Sequence, residues 1–181
     1  ILGKGKKNFI ILHGFLGMGD NWKTHGKNLA EKGYCVHLID QRNHGRSFWS
    51  SDFSYPFMVE DLLVYMNHNQ ITSAILLGHS MGGKTAMQFA LDNSNMLNNL
   101  IIADISPKKY EPNHKDLINL LFEISSKPIT NRNYVKNILK AGELDNNTIN
   151  FLLKNLYWIN DKELKFRFNI KAIESFQNHL M

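Results

Sequence analysis

Ser80 lies at the centre of Gly78-His79-Ser80-Met81-Gly82, a G-x-S-x-G run. A serine hydroxyl is a weak nucleophile until a base removes its proton. Its attack on a carbonyl creates an oxyanion that needs donors already in place. The surrounding residues give the motif its meaning. The apolar stretch Ala74-Ile75-Leu76-Leu77 precedes it, and the helix-forming stretch Lys84-Thr85-Ala86-Met87-Gln88-Phe89-Ala90 follows. Strand, glycine-pinched turn, serine and helix make up a nucleophile elbow, in which small neighbours let strand and helix pass close to a strained serine. The competing reading is a linker serine that needs only a tight bend.

The other groups such chemistry requires are sought at the ends of the predicted strands. The backbone N–H of Met81, the residue after the serine, is the first oxyanion donor of an elbow. The second is expected from His13-Gly14-Phe15-Leu16-Gly17, with the N–H of Phe15 as candidate; a plain glycine turn is the alternative. Asp104 ends a predicted strand at the same sheet edge, where a carboxylate can orient an imidazole. It can equally cap the next segment, Ile105-Ser106-Pro107. The base is not assigned. His114 and His179 follow Asp104, but neither follows a strand, and both read as exposed helix residues. His13 and His79 flank the serine, although the residue before the serine of an elbow points away from substrate. His44 reads as a turn residue of the Asp40 to Ser47 loop, and His25, His37 and His68 have no evident partner.

These residues need a scaffold, and the apolar pattern supplies one. Asn8–Leu12 and Tyr34–Ile39 are short apolar runs of the kind found in parallel strands buried on both faces. Ala74–Leu77 and Leu100–Asp104 are the third and fourth strands. A helix is expected from Asp20-Asn21-Trp22 to about Lys32, capped by Asp20 or Asn21 and stopped by Gly33. Phe57–Met66 forms a second helix, and the helix after the elbow ends near Asn93. Strands alternating with helices imply an α/β fold with a mostly parallel sheet flanked by helices. From His114 onward only helical periodicity is read, with breaks at Ser125-Ser126-Lys127-Pro128, Ala141-Gly142 and Asn160-Asp161. The expected division is a core over residues 1–107 and a helical lid over residues 108–181, placed over the strand ends where open α/β sheets bind ligands.

Bulk composition narrows the classes. At 181 residues the chain suffices for one ordinary domain, and 43% hydrophobic with 20% charged residues is globular rather than disordered. The single cysteine, Cys35, forbids an internal disulfide and a cysteine-rich metal site, and its apolar neighbours Tyr34 and Val36 suggest a buried, inert thiol. No metal ligand set is assigned. The formal charge of +5 and pI near 9.2 arise from scattered lysines without a basic stripe, so nucleic acid is not expected as a partner. The 22 asparagines accompany abundant lysine and isoleucine, as biased gene composition would produce. The charge favours anionic substrates only weakly. No apolar run approaches the roughly 18 residues of a membrane span. A cytoplasmic location is expected; the first residue is Ile1, which leaves a removed targeting segment open.

Taken together, His13-Gly14-Phe15-Leu16-Gly17, Asp20-Asn21-Trp22, Asp40-Gln41-Arg42-Asn43-His44-Gly45-Arg46-Ser47, Gly78-His79-Ser80-Met81-Gly82-Gly83-Lys84 and Ala103-Asp104-Ile105-Ser106-Pro107 resemble the α/β-hydrolase superfamily. More narrowly, they resemble its YbfF-like esterases and their abhydrolase-domain relatives. The resemblance covers residues 1–110 well and the lid loosely. It implies a partial α/β-hydrolase fold with Ser80 as nucleophile and Asp104 as triad acid. It also implies hydrolysis of small-molecule carboxylic esters, with acyl-CoA thioesters as a further substrate class, and no cofactor. The family continues past the lid with two more strands and carries its histidine after the last. This chain stops at Met181 and starts late, so it is expected to be a piece of a longer polypeptide. The other reading is a short form without the base, acting as a non-catalytic acyl-ligand or partner-binding protein. Dehalogenases and epoxide hydrolases of the superfamily carry aspartate at the elbow, where this chain has Ser80. Leu121, Phe122, Tyr157 and Trp158 suggest an acyl pocket or plain helix packing; substrate-binding residues and oligomeric state are not assigned.

Overall fold

The computed structural model describes residues 1–108, 110 and 114–176. His179 and Lys109 lie outside the described residues. The chain forms two compact units. The first contains Ile1–Arg42 and Asp52–Lys108; the second contains Asn43–Ser51 and the described residues of Lys109–Met181.

The first unit is built from β1 (Lys7–Leu12), α1 (Lys23–Glu31), β2 (Tyr34–Ile39), α2 (Tyr55–His68), β3 (Ala74–His79), α3 (Met81–Asp92) and β4 (Leu97–Ala103). Its four strands are all parallel, in the order β2-β1-β3-β4. The period of two along β1 sorts the core into two layers. Ile10 and Leu12 pack with Val59, Leu62 and Met66 of α2 and with Ala86 and Phe89 of α3. Phe9 and Ile11 pack with Val36 on the other face, where Leu29 and Ala30 of α1 cover them. The helix after β1 and the helix after β3 therefore lie on opposite faces. Their chains leave β1 and β3 in opposite directions, which makes the carboxyl ends of these adjacent strands a topological switch point.

Three expectations need adjustment in this unit. Asp20 and Asn21 do not cap α1: they sit inside a short 3-10 turn, Gly19–Trp22, and Asn21 Oδ1 accepts from the N–H of Met18, 2.8 Å away. Cys35 is half-buried rather than buried, with Sγ 3.5 Å from Nε2 of His37. His37 does have partners, Tyr65 Oη at 2.9 Å and Asn8 Oδ1 at 3.2 Å. The sheet is also not closed on both faces throughout. Along β4, Leu100 and Ile101 are each 40% exposed.

The loop after β2 is tied down by a residue that the sequence does not single out. Arg42 presents a two-pronged contact to Asp61 of α2, with Nε to Oδ2 at 2.6 Å and Nη2 to Oδ1 at 2.7 Å, while Nη1 donates to the Asp52 carbonyl at 2.6 Å. Its guanidinium also lies 5.0 Å from the centre of the Phe57 ring. The Arg42 side chain is 8% exposed and that of Asp61 30%. Breaking a fully buried pair costs roughly 3–5 kcal/mol, and the partial exposure of Asp61 lowers this. Arg42→Ala is expected to destabilise the fold by about 2 kcal/mol, read as a lower urea midpoint, and Arg42→Lys should recover less than half because it loses the fork.

The second unit holds α4 (Lys115–Ser125), α5 (Arg132–Ala141), α6 (Asn146–Leu153), β5 (Leu156–Asn160), β6 (Glu163–Phe166) and α7 (Ile170–Phe176). The antiparallel hairpin β5–β6 overturns the reading of this region as helix alone. Asn160-Asp161, read as a break between helices, is its turn, where Asn160 Oδ1 accepts from the N–H of Lys162 at 2.9 Å. The aromatic and branched run Tyr157-Trp158-Ile159 and the alternation of buried Leu164 and Phe166 follow strand chemistry. Asn43 anchors its segment to this unit: the N–H of Asn169 donates to the Asn43 carbonyl at 2.9 Å, and the Asn169 amide donates to Asn43 Oδ1 at 3.0 Å. Among the described residues, no helix is long and apolar enough to cross a membrane.

Candidate active site

Ser80 occupies the one-residue turn between β3 and α3, with φ 50° and ψ −115°. A side chain at positive φ with such a ψ is strained, and a cost of about 1–3 kcal/mol must be met by the surrounding packing. The glycines explain how. A Cβ on Gly78 would collide with the Gly82 carbonyl, and one on Gly83 with the Ile105 side chain. On Gly82 it would lie 2.5 Å from the Leu12 carbonyl oxygen and 2.6 Å from that of His13. Strand β1 thus presses against the first turn of α3. Helix propensity alone would favour alanine over glycine by about 1 kcal/mol. Here the sign reverses: Gly82→Ala is expected to cost about 3 kcal/mol in chemical denaturation, because both opposing atoms are backbone.

Sheet register brings the other groups to Ser80. Leu12 pairs with Gly78 and His79 with Ala103, so Gly14 and Asp104 fall just past the ends of β1 and β4 on either side of the serine. The Ser80 N–H donates to the Ala103 carbonyl at 3.0 Å. An ideal Cβ on Gly14 would be 2.7 Å from Nδ1 of His79 and 3.2 Å from Ser80 Cβ, so a side chain here would force the His79 ring to move. Asp104, like Ser80, has positive φ, at 54°, and so does Leu16, at 56°. Three non-glycine residues of positive φ therefore stand in the segments that follow three neighbouring strands.

The start of α3 can receive negative charge. The N–H groups of Gly83 and Lys84 turn back to the Ser80 carbonyl, at 2.8 and 3.1 Å. The N–H of Met81 has no acceptor inside the helix, and the dipole of α3 adds partial positive charge there. On the other side, the Gly14 carbonyl accepts from the N–H of Gly17 at 2.9 Å and meets Nδ1 of His13 at 2.8 Å. A trans peptide holds its N–H opposite its carbonyl, so the Phe15 N–H points away from both.

His13 is a structural histidine. Its Nε2 accepts from the Gln41 N–H at 3.0 Å, so the proton sits on Nδ1 and is donated to the Gly14 carbonyl. The Gln41 amide returns to the His13 carbonyl at 2.8 Å. Burial pushes the His13 pKa down to about 4, with smaller contributions from the Gly14 contact, which raises it, and from nearby His79, which lowers it. Neutral His13 pins the loop after β1 to the loop after β2.

His79 is not simply turned aside. Its Nε2 lies 3.7 Å from Asp104 Oδ2, and its ring meets Trp22 edge-on at 5.8 Å. The Asp104 side chain is 88% exposed. Among the described residues, His79 is the histidine that meets Asp104. His44 is fully buried and its carbonyl accepts from the Ser47 N–H at 3.0 Å, so it acts as a turn residue. His114 is exposed just before α4 in the second unit. Among the described residues, no group of three or more His, Cys, Asp or Glu side chains could hold a metal ion.

Comparison with known proteins gives this geometry its relatives. The chain is 34% identical over 186 residues to the Danio rerio protein named sn-1-specific diacylglycerol lipase ABHD11, matching 98% of this chain and 57% of that one. It is 27% identical over 173 residues to esterase YbfF of Escherichia coli, matching 95% of this chain and 66% of that one. Among solved structures, one described as a marine microorganism esterase superposes with a TM-score of 0.93 at 38% identity, covering 99% of this chain and 71% of that chain. The chain spans about half the length of the curated relatives it matches. Residues 7–123 match the model of the alpha/beta hydrolase fold family, and the chain belongs to that family.

Proposed function

We propose that the chain carries the nucleophile, the acid and the oxyanion donors of a serine hydrolase for small-molecule carboxylic esters. The strained backbone of Ser80, at the mouth of α3 and at the switch point of the sheet, is the observation that carries this reading. Ser80 Oγ attacks the ester carbonyl, the carbonyl oxygen becomes an oxyanion, and the N–H groups of Met81 and Phe15 receive it. The C–O bond to the alcohol then breaks, leaving an acyl group on Ser80 that water removes in a second step. Asp104 orients the general-base histidine, a role to which none of the described histidines is assigned; that base takes the serine proton and returns it to the leaving alcohol. Relatives named as esterases and lipases support the ester class. Thioesters extend the same chemistry, since they too yield an acyl-serine, now with a thiol leaving group. The test, in a polypeptide that carries this chain together with its base, is a panel of p-nitrophenyl esters and matched thioesters of increasing acyl length. Hydrolysis with a burst of p-nitrophenol equal to the enzyme present is expected. Turnover without any acylated intermediate would contradict it.

A second reading has a specific observation in its favour. Asp104 faces His79 at 3.7 Å, and His79 directly precedes the serine. A chain whose acid is engaged this way could bind acyl ligands or a partner without turnover, since triad members act as a unit. Saturable binding of a non-hydrolysed acyl ether, with no esterase activity under any condition, is the outcome that favours it.

A further inference from the structure

Four polar side chains of the first unit meet on one face of its sheet. Asn8 pairs with Cys35 in the register of β1 and β2, and His37 follows Cys35 by two residues, so all three share that face. Tyr65 of α2 completes the group, with Oη 2.9 Å from Nδ1 of His37. Asn8 Oδ1 lies 3.2 Å and Cys35 Sγ 3.5 Å from the other ring nitrogen, Nε2. Asn8 and Cys35 each stand second in their strands, near the amino ends, whereas Ser80 follows the carboxyl end of β3. His37 is 3% exposed, but Asn8 and Cys35 are half-buried and give Nε2 its approach from solvent.

An amide oxygen only accepts hydrogen bonds, so the Asn8 contact puts the imidazole proton on Nε2 and leaves Nδ1 to accept from Tyr65. That one proton then serves two acceptors, an oxygen and a sulfur, and both contacts are longer than the usual value of about 2.9 Å. The same three atoms are well spaced for a single metal ion. With Zn–S near 2.3 Å and Zn–N and Zn–O near 2.1 Å, tetrahedral angles set sulfur about 3.5 Å and oxygen about 3.4 Å from the nitrogen. We infer that Asn8 Oδ1, Cys35 Sγ and His37 Nε2 form a binding site for a divalent transition-metal ion, Zn²⁺, with the fourth position open to water. Thiolate and imidazole suit Zn²⁺ and not Mg²⁺ or Ca²⁺, which take oxygen ligands. Binding displaces the thiol proton to solvent and moves the imidazole proton from Nε2 to Nδ1. The Tyr65 hydroxyl, which can donate or accept, then accepts that proton in a hydrogen bond and fixes the ring as an outer partner. Among the described residues no three His, Cys, Asp or Glu side chains form such a group; this site has two of them and an amide oxygen.

Isothermal titration of Zn²⁺ into the reduced protein, in a polypeptide that carries this chain, tests the site. Binding of Zn²⁺ that depends on Cys35 is expected. Cys35→Ser keeps the size and shape of a half-buried side chain, so the variant should fold, and it should weaken Zn²⁺ about tenfold or more by removing the thiolate. Tyr65→Phe leaves all three ligands in place and should weaken Zn²⁺ about tenfold, the cost of an outer partner. Co²⁺ in place of Zn²⁺ should give a thiolate-to-cobalt absorption in the near ultraviolet that Cys35→Ser lacks. Because the ion links β1 to β2, Zn²⁺ should also raise the urea midpoint, and Cys35→Ser should lose that rise. Absence of Zn²⁺ binding, unchanged affinity in Cys35→Ser, displacement by Mg²⁺, or cobalt bound without the thiolate absorption would overturn the inference.

Discussion

In any polypeptide that carries this chain and hydrolyses esters, Ser80→Ala is expected to lower kcat by about 10⁴-fold or more. Alanine keeps the Cβ and removes only the attacking oxygen. The backbone turn at φ 50° is held by the contacts of Gly78, Gly82 and Gly83, which the substitution leaves alone. Thermal stability should therefore change little, and KM should move far less than kcat. This pairing distinguishes a nucleophile from a residue that merely shapes the turn. A linker serine would give the opposite pattern, with near-normal kcat. Asp104→Asn in the same background should also lower kcat strongly, because asparagine cannot stabilise the imidazolium formed during attack. The exposed Asp104 side chain implies little cost in stability.

The second large effect concerns pH and stability. The pKa of His13 in the folded protein is about 4, below its ordinary value of 6.5. Between these values the unfolded chain binds a proton that the folded chain does not, so acid favours unfolding. The stabilisation is complete above pH 6.5 and is lost as pH falls toward 4. The drop from 6.5 to about 4 corresponds to on the order of 3 kcal/mol. His37, also lowered chiefly by burial, acts in the same direction. His13→Gln isolates the first contribution: the glutamine oxygen can accept from the Gln41 N–H in place of Nε2, and it does not titrate. Urea midpoints measured from pH 7.5 to 4 should fall less steeply in the variant than in the natural chain. Parallel curves would show that His13 is accessible to protons in the folded state.

Much of the first unit was legible because its physics is local. Tyr34–Ile39 and Ala74–Leu77 are short apolar runs bounded by Gly33, Asp40 and Gly78, and buried parallel strands have little choice of partner. The elbow was legible for a related reason. Three glycines within six residues around a serine have no use in an ordinary helix start, and here each faces an atom that forbids a Cβ. What stayed hidden depends on contacts distant in sequence. Arg42 reads as one more loop cation until α2 brings Asp61 to it. His13 reads as a possible base until Gln41 occupies its Nε2 and burial keeps it neutral. Cys35 and His37 read as isolated until strand pairing sets them beside Asn8 and Tyr65. The hairpin β5–β6 was missed for another reason. Leu156 continues the helical spacing of Ile149, Leu152 and Leu153, so the period persists three residues beyond the point where α6 ends. Only the Tyr157-Trp158-Ile159 run and the Asn160-Asp161 turn mark the change.

The central claim is that Ser80 is a nucleophile in a preorganised site, and covalent labelling tests it most directly. An activated serine attacks the phosphorus of a fluorophosphonate, the P–F bond breaks with loss of fluoride, and a phosphonyl group stays on the serine oxygen without a second step. Incubation at neutral pH followed by intact-mass measurement and peptide mapping should give one adduct per chain. That adduct should lie on Ser80, and it should vanish in Ser80→Ala. A polypeptide that hydrolyses esters yet carries the adduct on another residue, or keeps its full activity while unlabelled, would contradict the account.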